Sequence, residues 1–255
     1  MPIFLGNQQI TNAYLGSFNV TDIIQSEINI PQNNLIFWLD PTTFTSGSST
    51  WNSKYNLQFS GSFTGVTPVK KDLDYAVNFT TSSAMRFGGD SSLNYTSSNF
   101  TLFVATRYSG SSTDRHGRLI DSVNSNWLAP TYGGGGGAGD TEYWAAYYNT
   151  IGFIIQSGSI YDTQWRISTI VRDTTNLSSS FYINSVLAAS ASNNSTSQAF
   201  NGLAINNGQF TNGTVNPATG EVTQADVGDI ILYNRVLSQN EITTVYDTIK
   251  GRYGL

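Results

Sequence analysis

In the stretch GDTEYW, Asp140 and Glu142 alternate by two. On a strand they would share one face about 7 Å apart, a separation open to the paired carboxylates of a glycoside hydrolase. The remaining glutamates are Glu27, Glu221 and Glu241, and Glu241 has a structural use described below. A Ser-His-Asp nucleophile would need His116, the single histidine. It lies in the polar run SSTDRHGRLID, and no G-x-S-x-G elbow accompanies it, so it reads as a solvated loop residue. One histidine and no cysteine leave neither a zinc ligand set nor a thiolate nucleophile nor a disulfide. Asp121, Asp226 and Asp229, flanked by Gly, Asn and Ser, offer oxygens of the kind calcium takes. No dense acidic loop supports structural calcium, and turn-capping accounts for such residues. The expectation from these residues is no cofactor, no metal and no enzymatic activity.

Binding chemistry has more material. Trp127, Tyr132, Tyr143 and Trp144 flank the run GGGGGAG, Gly133–Gly139. Aromatic faces beside Asn, Asp and Gly hydrogen-bonding groups make a glycan platform. Against this, a chain with 14 Phe, 14 Tyr and 5 Trp fills its core with aromatics, and alternation along Tyr143–Tyr148 turns half of them inward. The glycine run is not a phosphate loop, since no GK[ST] follows it. It is either a surface loop or a segment that must approach a ligand or a neighbouring chain closely.

The elements that would position these groups are strands. LIFWL, YAVNFT, FTLFVATRY, WAAYY, IGFII, WRISTIV, SFYIN and DIILYN are short, aromatic and β-branched, and Gly, Ser, Asn and Asp clusters separate them. Such a series, without helical periodicity between its members, predicts a two-sheet antiparallel jelly-roll sandwich. In FTLFVATRY, Leu102, Val104 and Thr106 fall on one face and Phe103, Ala105 and Arg107 on the other, so the strand begins apolar on both sides. One helix is predicted, in SQNEITTVYDTIKGRYGL. Ser238 and Glu241 form a capping box, Ile242, Val245, Tyr246 and Ile249 make the apolar stripe, and Gly251 is placed for a left-handed cap.

Composition narrows the partners. The net charge is −5 with 12 Lys and Arg in 255 residues, scattered without a basic stripe, which argues against nucleic acid. No apolar run approaches 18 residues, so no membrane-spanning helix is expected, and MPIFLGNQQI lacks the charged and apolar regions of a signal peptide.

The chain opens with a repeat. IFLGNQQITN and AYLGSFNVTD, Ile3–Asp22, share an aromatic, Leu-Gly, a small polar residue and a β-branched residue before Thr. Units this small cannot bury Phe4, Leu5, Ile10, Tyr14, Leu15, Val20 and Ile23 among themselves. These residues are therefore expected to meet another chain, a docking surface or the main domain. The alternative is that the repeat simply supplies two or three strands of the sandwich. The expected division is an N-terminal β arm, residues 1–30, and a lectin-like domain, residues 31–255.

Two resemblances follow. The order LIFWLD, Trp51, Phe59–Gly61, NFTTSSAMRFGG, NFTLFVATR, GRLIDS, QWRISTIVRD, FYINSVLAAS, GLAINN and GDIILYNRVLSQNEI resembles the concanavalin A-like, laminin-G and pentraxin superfamily of jelly rolls, with Tyr233–Ile242 its most specific part. That resemblance implies a sandwich that binds glycans or proteins, sometimes through calcium. The E-x-D-x-E run of the family's retaining glucanases has no counterpart in the chain. The Leu-Gly repeat resembles short N-terminal units of tailed-bacteriophage virion proteins. Together they imply a structural virion component in a capsid decoration, collar, tail or fibre. It would be oligomeric or particle-bound, with other virion proteins and host-surface polysaccharide as partners. The alternative is a free-standing carbohydrate-binding lectin or adhesin, and a glycoside hydrolase stands third.

Overall fold

The computed structural model describes, with side chains, residues 30–55, 59–65, 67–71, 73, 75–86, 99–110, 119–120, 163–192, 204–206 and 223–255, and elsewhere the backbone of short strands. In the N-terminal region these strands are β1 (Ile3–Leu5), β2 (Gln8–Ile10), β3 (Tyr14–Leu15) and β4 (Phe18–Asn19). There follow β5 (Leu35–Leu39), β6 (Thr50–Asn52), β7 (Ser60–Gly65), β8 (Val69–Lys71), β9 (Ala76–Phe79), β10 (Ser83–Phe87) and β11 (Asn94–Tyr95). The centre holds β12 (Phe100–Tyr108), β13 (Arg118–Ser122), β14 (Leu128–Gly133), β15 (Glu142–Ala145), β16 (Phe153–Ile155) and β17 (Arg166–Asp173). The last are β18 (Ser178–Ile183), β19 (Val186–Ala191), β20 (Phe200–Asn201), β21 (Leu203–Ile205) and β22 (Ala225–Tyr233), before helix α1 (Gln239–Ile249).

Two eight-stranded antiparallel sheets result. One runs β19-β18-β17-β12-β22-β9-β8, with β5 also pairing β22; the other runs β16-β15-β14-β13-β21-β10-β7-β6. The all-β sandwich with one C-terminal helix is therefore the architecture of the chain. Sequential neighbours pair as hairpins at several places. At Asn184-Ser185, φ values of 51° and 63° give the primed two-residue turn that matches strand twist.

The strand faces explain the layering. Leu102 and Val104 of β12 join Phe37, Val77, Phe79, Ile170, Ile230 and Leu232 in the core between the sheets. Phe103 and Ala105 turn the other way and pack with Ile231, Tyr233, Ile242, Val245 and Ile249 beneath α1. FTLFVATRY is thus apolar on both faces because both are covered, one by a sheet and one by a helix. The helix starts as its sequence requires: the Glu241 N–H donates to Ser238 Oγ and the Ser238 N–H donates to the Glu241 carboxylate. Its end differs from expectation. Gly251 is no left-handed cap; the chain passes from α1 into a 3-10 turn, Lys250–Tyr253, and the left-handed residue is Gly254 at φ 70°. The tighter turn carries Arg252 and Tyr253 onto the sheet.

Arg252 lands between two buried carboxylates. Its Nη1 lies 3.1 Å from Asp40 Oδ2 and 3.0 Å from Asp229 Oδ1, and both acids are fully buried. Lys54 Nζ reaches Asp40 at 2.9 Å, while Trp38 Nε1 and Tyr253 Oη donate to Asp229 at 2.6 and 2.5 Å. Burial pushes the Asp40 carboxyl up, but Arg252, Lys54 and the Thr42 N–H outweigh it and hold it below the usual range. Asp229 is raised: burial outweighs Arg252, and the charge of Asp40 adds to it. A shift of register between Val104 and Thr106 leaves Gly228 and Asp229 opposite Ala105, so Asp229 turns to the same outer face as Asp226. Tyr253 packs so tightly over Gly228 that a Cβ there would collide with its ring.

In the arm, each repeat unit is one hairpin. Ile3 pairs Ile10 through Leu5–Gln8, and Tyr14 pairs Asn19 through Leu15–Phe18, so two residues connect the strands in each. Neither hairpin belongs to an eight-stranded sheet. Val20 and Ile23 lie outside the described residues, and for Phe4, Leu5, Ile10, Tyr14 and Leu15 the backbone pairing alone is described.

Two outcomes follow. Arg252→Met leaves two buried carboxylates without their shared cation and should cost about 3–5 kcal/mol at neutral pH by urea titration. The deficit should shrink on acidification, as the stranded carboxylates take up protons. At the helix start, the hydrogen bonds from Arg235 hold the Glu241 carboxyl down at about 2. Its stabilising contribution is fully present above the unfolded value, about 4.3, and is lost as pH falls towards 2. The melting-temperature gap between the native protein and Glu241→Gln should therefore be widest near pH 6 and close near pH 2.

Candidate functional site

Of the four predicted platform positions, 132, 143 and 144 fall on β14 and β15, next to the edge strand β16 of the second sheet. Tyr132 pairs directly with Tyr143, and the row continues to Arg118 on β13 and Ile155 on β16. Trp144 pairs with Thr131 and Ile154. Positions 143 and 144 are consecutive, so they belong to opposite faces of the sheet. The backbone thus brings positions 132 and 143 together and separates 144 from them. Trp127 lies outside the described residues, as do Gly134–Gly139, Asp140 and His116.

Among the carboxylates considered for catalysis, Glu142 stands opposite Gly133 in the β14–β15 ladder. Glu241 is held in the capping box and by Arg235. Glu27 and Glu221 are outside the described residues. Of the candidate calcium ligands, Asp226 and Asp229 spend their oxygens on cations and N–H donors, and Asp121 is a β13 position opposite Leu128 and Ala204. Among the described residues no group of three or more His, Cys, Asp or Glu could hold a metal ion.

A described cavity lies elsewhere. At the end of the first sheet, where β12 finishes, β22 begins and the C-terminal turn crosses them, there is a cleft of about 500 Å³. Lys71, Arg107, Ser109, Gln164, Trp165 and Asp226 are among its lining residues. Cross-strand pairing sets Arg107 opposite Asp226. The Arg107 Nε donates to Asp226 Oδ2 at 2.9 Å, and Nη2 approaches the same oxygen at 2.9 Å. Asn78 Nδ2 donates to Oδ1 at 2.6 Å and to Ser109 Oγ at 2.9 Å. Asp226 is 2% exposed along its side chain, and these donors satisfy the oxygens of a buried carboxylate. Above it the Arg107 guanidinium lies 5.1 Å from the Trp165 ring centre, and Trp165 packs at 4.6 Å on Tyr253. The floor is a locked carboxylate and a stacked guanidinium. Lys71, its side chain 43% exposed, stands at the rim 3.9 Å from Asp226 Oδ1.

The sequence offers Asp226 as an oxygen ligand and puts Arg107 on the same face of its strand as Phe103 and Ala105, without joining the two. The signal was present in part, since an arginine ending an apolar strand face needs an acceptor. Nothing local in the sequence pointed to Lys71 or Trp165.

Comparison with known proteins bears on the fold. No family model matches the chain, and no curated protein does. Solved structures match it as a fold. A mutant of Trypanosoma rangeli sialidase displaying trans-sialidase activity superposes with a TM-score of 0.57 at 15% identity, over 89% of this chain and 34% of that one. Domain 4 of AbnA, an extracellular GH43 arabinanase from Geobacillus stearothermophilus in complex with arabinotriose, gives 0.57 at 13% identity, over 85% of this chain and 100% of the domain. The binding domain of Paraclostridial Mosquitocidal Protein 1 gives 0.55 at 18% identity, over 84% and 52%. The chain spans about a third of the length of the sialidases. The expectation that it is not an enzyme is corrected by these matches: the sandwich from which hydrolase chemistry was excluded is one that sialidase chains also contain. At such identities the likeness shows the fold, a β-sandwich shared with glycosidase chains and with binding domains.

Proposed function

We propose that the chain is a carbohydrate-binding β-sandwich. The observation that carries this reading is the β13–β14–β15 row, in which positions 118, 132 and 143 stand side by side with two tyrosines and an arginine. Adjacent aromatic positions across a ladder, next in register to an arginine position, are material for a saccharide platform. The fold supports the reading, because a domain wholly covered by this chain was solved with arabinotriose. Ligand surfaces on such a sandwich are grafted onto a common frame, so the sugar follows from the row and not from the fold.

A second reading concerns the arm. Isolated two-stranded hairpins are marginal in water, and the two repeat units pair with neither large sheet. This supports an attachment device that docks the sandwich on a larger assembly or on its own copies; a phage virion is the setting that its Leu-Gly repeat implies.

Screening the full chain on neutral and acidic polysaccharides, with reducing ends assayed in the same samples, tests the first reading. Tyr143→Ala should weaken binding by about tenfold, or 1.4 kcal/mol. An intact protein that retains no polysaccharide would end this proposal. For the arm, removal of residues 1–30 should abolish assembly while circular dichroism still shows the sandwich; unchanged assembly would exclude docking through the repeat.

A further inference from the structure

Strand β19 forms one end of the first sheet, and among the described residues β18 is its only partner strand. We infer that this open edge pairs antiparallel with the same edge of a second copy of the chain, giving a two-fold dimer with one continuous sheet. The edge belongs to the first sheet and the saccharide row to the second, so either can stand without the other.

The two ends of the first sheet differ. At the β8 end, two of the three residues of VKK are lysines, and the Lys70 N–H already donates to Ser46 Oγ at 2.9 Å. Edge lysines and an occupied donor keep foreign strands away. β19, VLAASA, carries no charge and no proline over six residues. Its one irregularity makes Ala188 an extra residue, and residues 189–191 beyond it stay in regular register. Val186 is 68% exposed and Leu187 52%. Being consecutive, they lie on opposite faces of the sheet. Val186 stands opposite Ile183, which packs against the core between the sheets, and Leu187 opposite Tyr182, which packs against the cluster beneath α1. A helix laid on the sheet would cover one of the two. A strand added at the edge places side chains beside both.

Charge selects the occupant. With a net charge of −5, two copies of the chain repel at long range. A two-fold contact also brings the same patch of both copies together, so a charge within it meets its own kind. Residues 174–220 contain no Asp, Glu, Lys or Arg, and β19 lies inside that run. This edge can therefore face itself without setting like charges opposite each other, which would be destabilising. A strand that selects a foreign acidic or basic peptide needs a charge of opposite sign, and β19 has none. The pairing is also self-limiting. It uses β19 of both copies and leaves the lysine-guarded β8 ends outermost, so growth through this sheet stops at two chains.

Sedimentation velocity of the full chain over a range of concentrations tests this, with a dimer as the expected species. Leu187→Lys and Ser190→Lys bring like charges together along the paired edge, and each should raise the dissociation constant about tenfold. Both positions are exposed, and thermal melts check that the sandwich is intact. Val69→Lys adds the same charge to the exposed β8 edge and should not weaken the dimer. Each added lysine lowers the net negative charge, so general repulsion between copies would be eased by all three substitutions. Weakening confined to the β19 variants supports the edge contact, and equal weakening by Val69→Lys would overturn it. A chain that stays monomeric at its highest soluble concentration would overturn it, as would an open-ended polymer. A dimer indifferent to both β19 substitutions but lost on removal of residues 1–30 would overturn the edge and leave docking through the arm standing.

Discussion

A single guanidinium, that of Arg252, bridges two carboxylates that have no access to water. Asp40 follows β5, Asp229 sits at the irregularity in β22, and Arg252 belongs to the turn after α1, so three distant segments meet at one charge. Burial makes such a contact conditional. Two carboxylates of zero exposure are tolerable only with their donors in place, and Trp38, Tyr253, Thr42 and Lys54 supply the remainder. The cluster does not make the fold stable so much as make one arrangement of the C-terminal turn acceptable. That turn carries Tyr253, whose ring supports Trp165, which in turn carries Arg107. The cleft is therefore downstream of the buried charges.

Features with a local period were legible in the sequence. Alternation in FTLFVATRY gave the two faces of β12, and the Ser238–Glu241 spacing gave the start of α1, because each depends on residues a few positions apart. The sandwich itself was legible from the succession of short strands. What failed was long-range or exceptional. GRYGL reads as the end of a helix, and nothing in those five residues reveals that Arg252 faces Asp229 from 23 positions away. Asp229 looked like an oxygen ligand because the register shift that turns it towards Arg252 is a property of the pairing of β12 with β22. The repeat announced a unit too small to form a core, and each unit proved to be a hairpin of its own.

Excluding catalysis from the sequence was an error of a different kind. It used the absence of one acidic run, which bears on one arrangement of carboxylates and on no other. A β-sandwich that sialidase chains share does not inherit that exclusion, because the frame is compatible with more than one chemistry. Carboxylates must be judged by their surroundings. Glu241 is held ionised by Arg235 and the helix start, and Asp226 is locked by Arg107 and Asn78, so neither is placed to move protons.

The outer face of the first sheet also explains why a cleft exists where it does. Along β12 and β22 the outward positions begin apolar, with Phe103, Ile231 and Tyr233 covered by α1. Trp165 and Tyr253 close that cover, and beyond them the outward residues become Arg107 and Asp226. Had those two positions been apolar, the strands would end in an exposed hydrophobic patch that the helix is too short to reach. A charged pair avoids the patch, but a carboxylate beneath the surface then needs fixed donors, and Asn78 and Arg107 provide them. The outcome is a polar hollow whose groups are held by structural requirements alone.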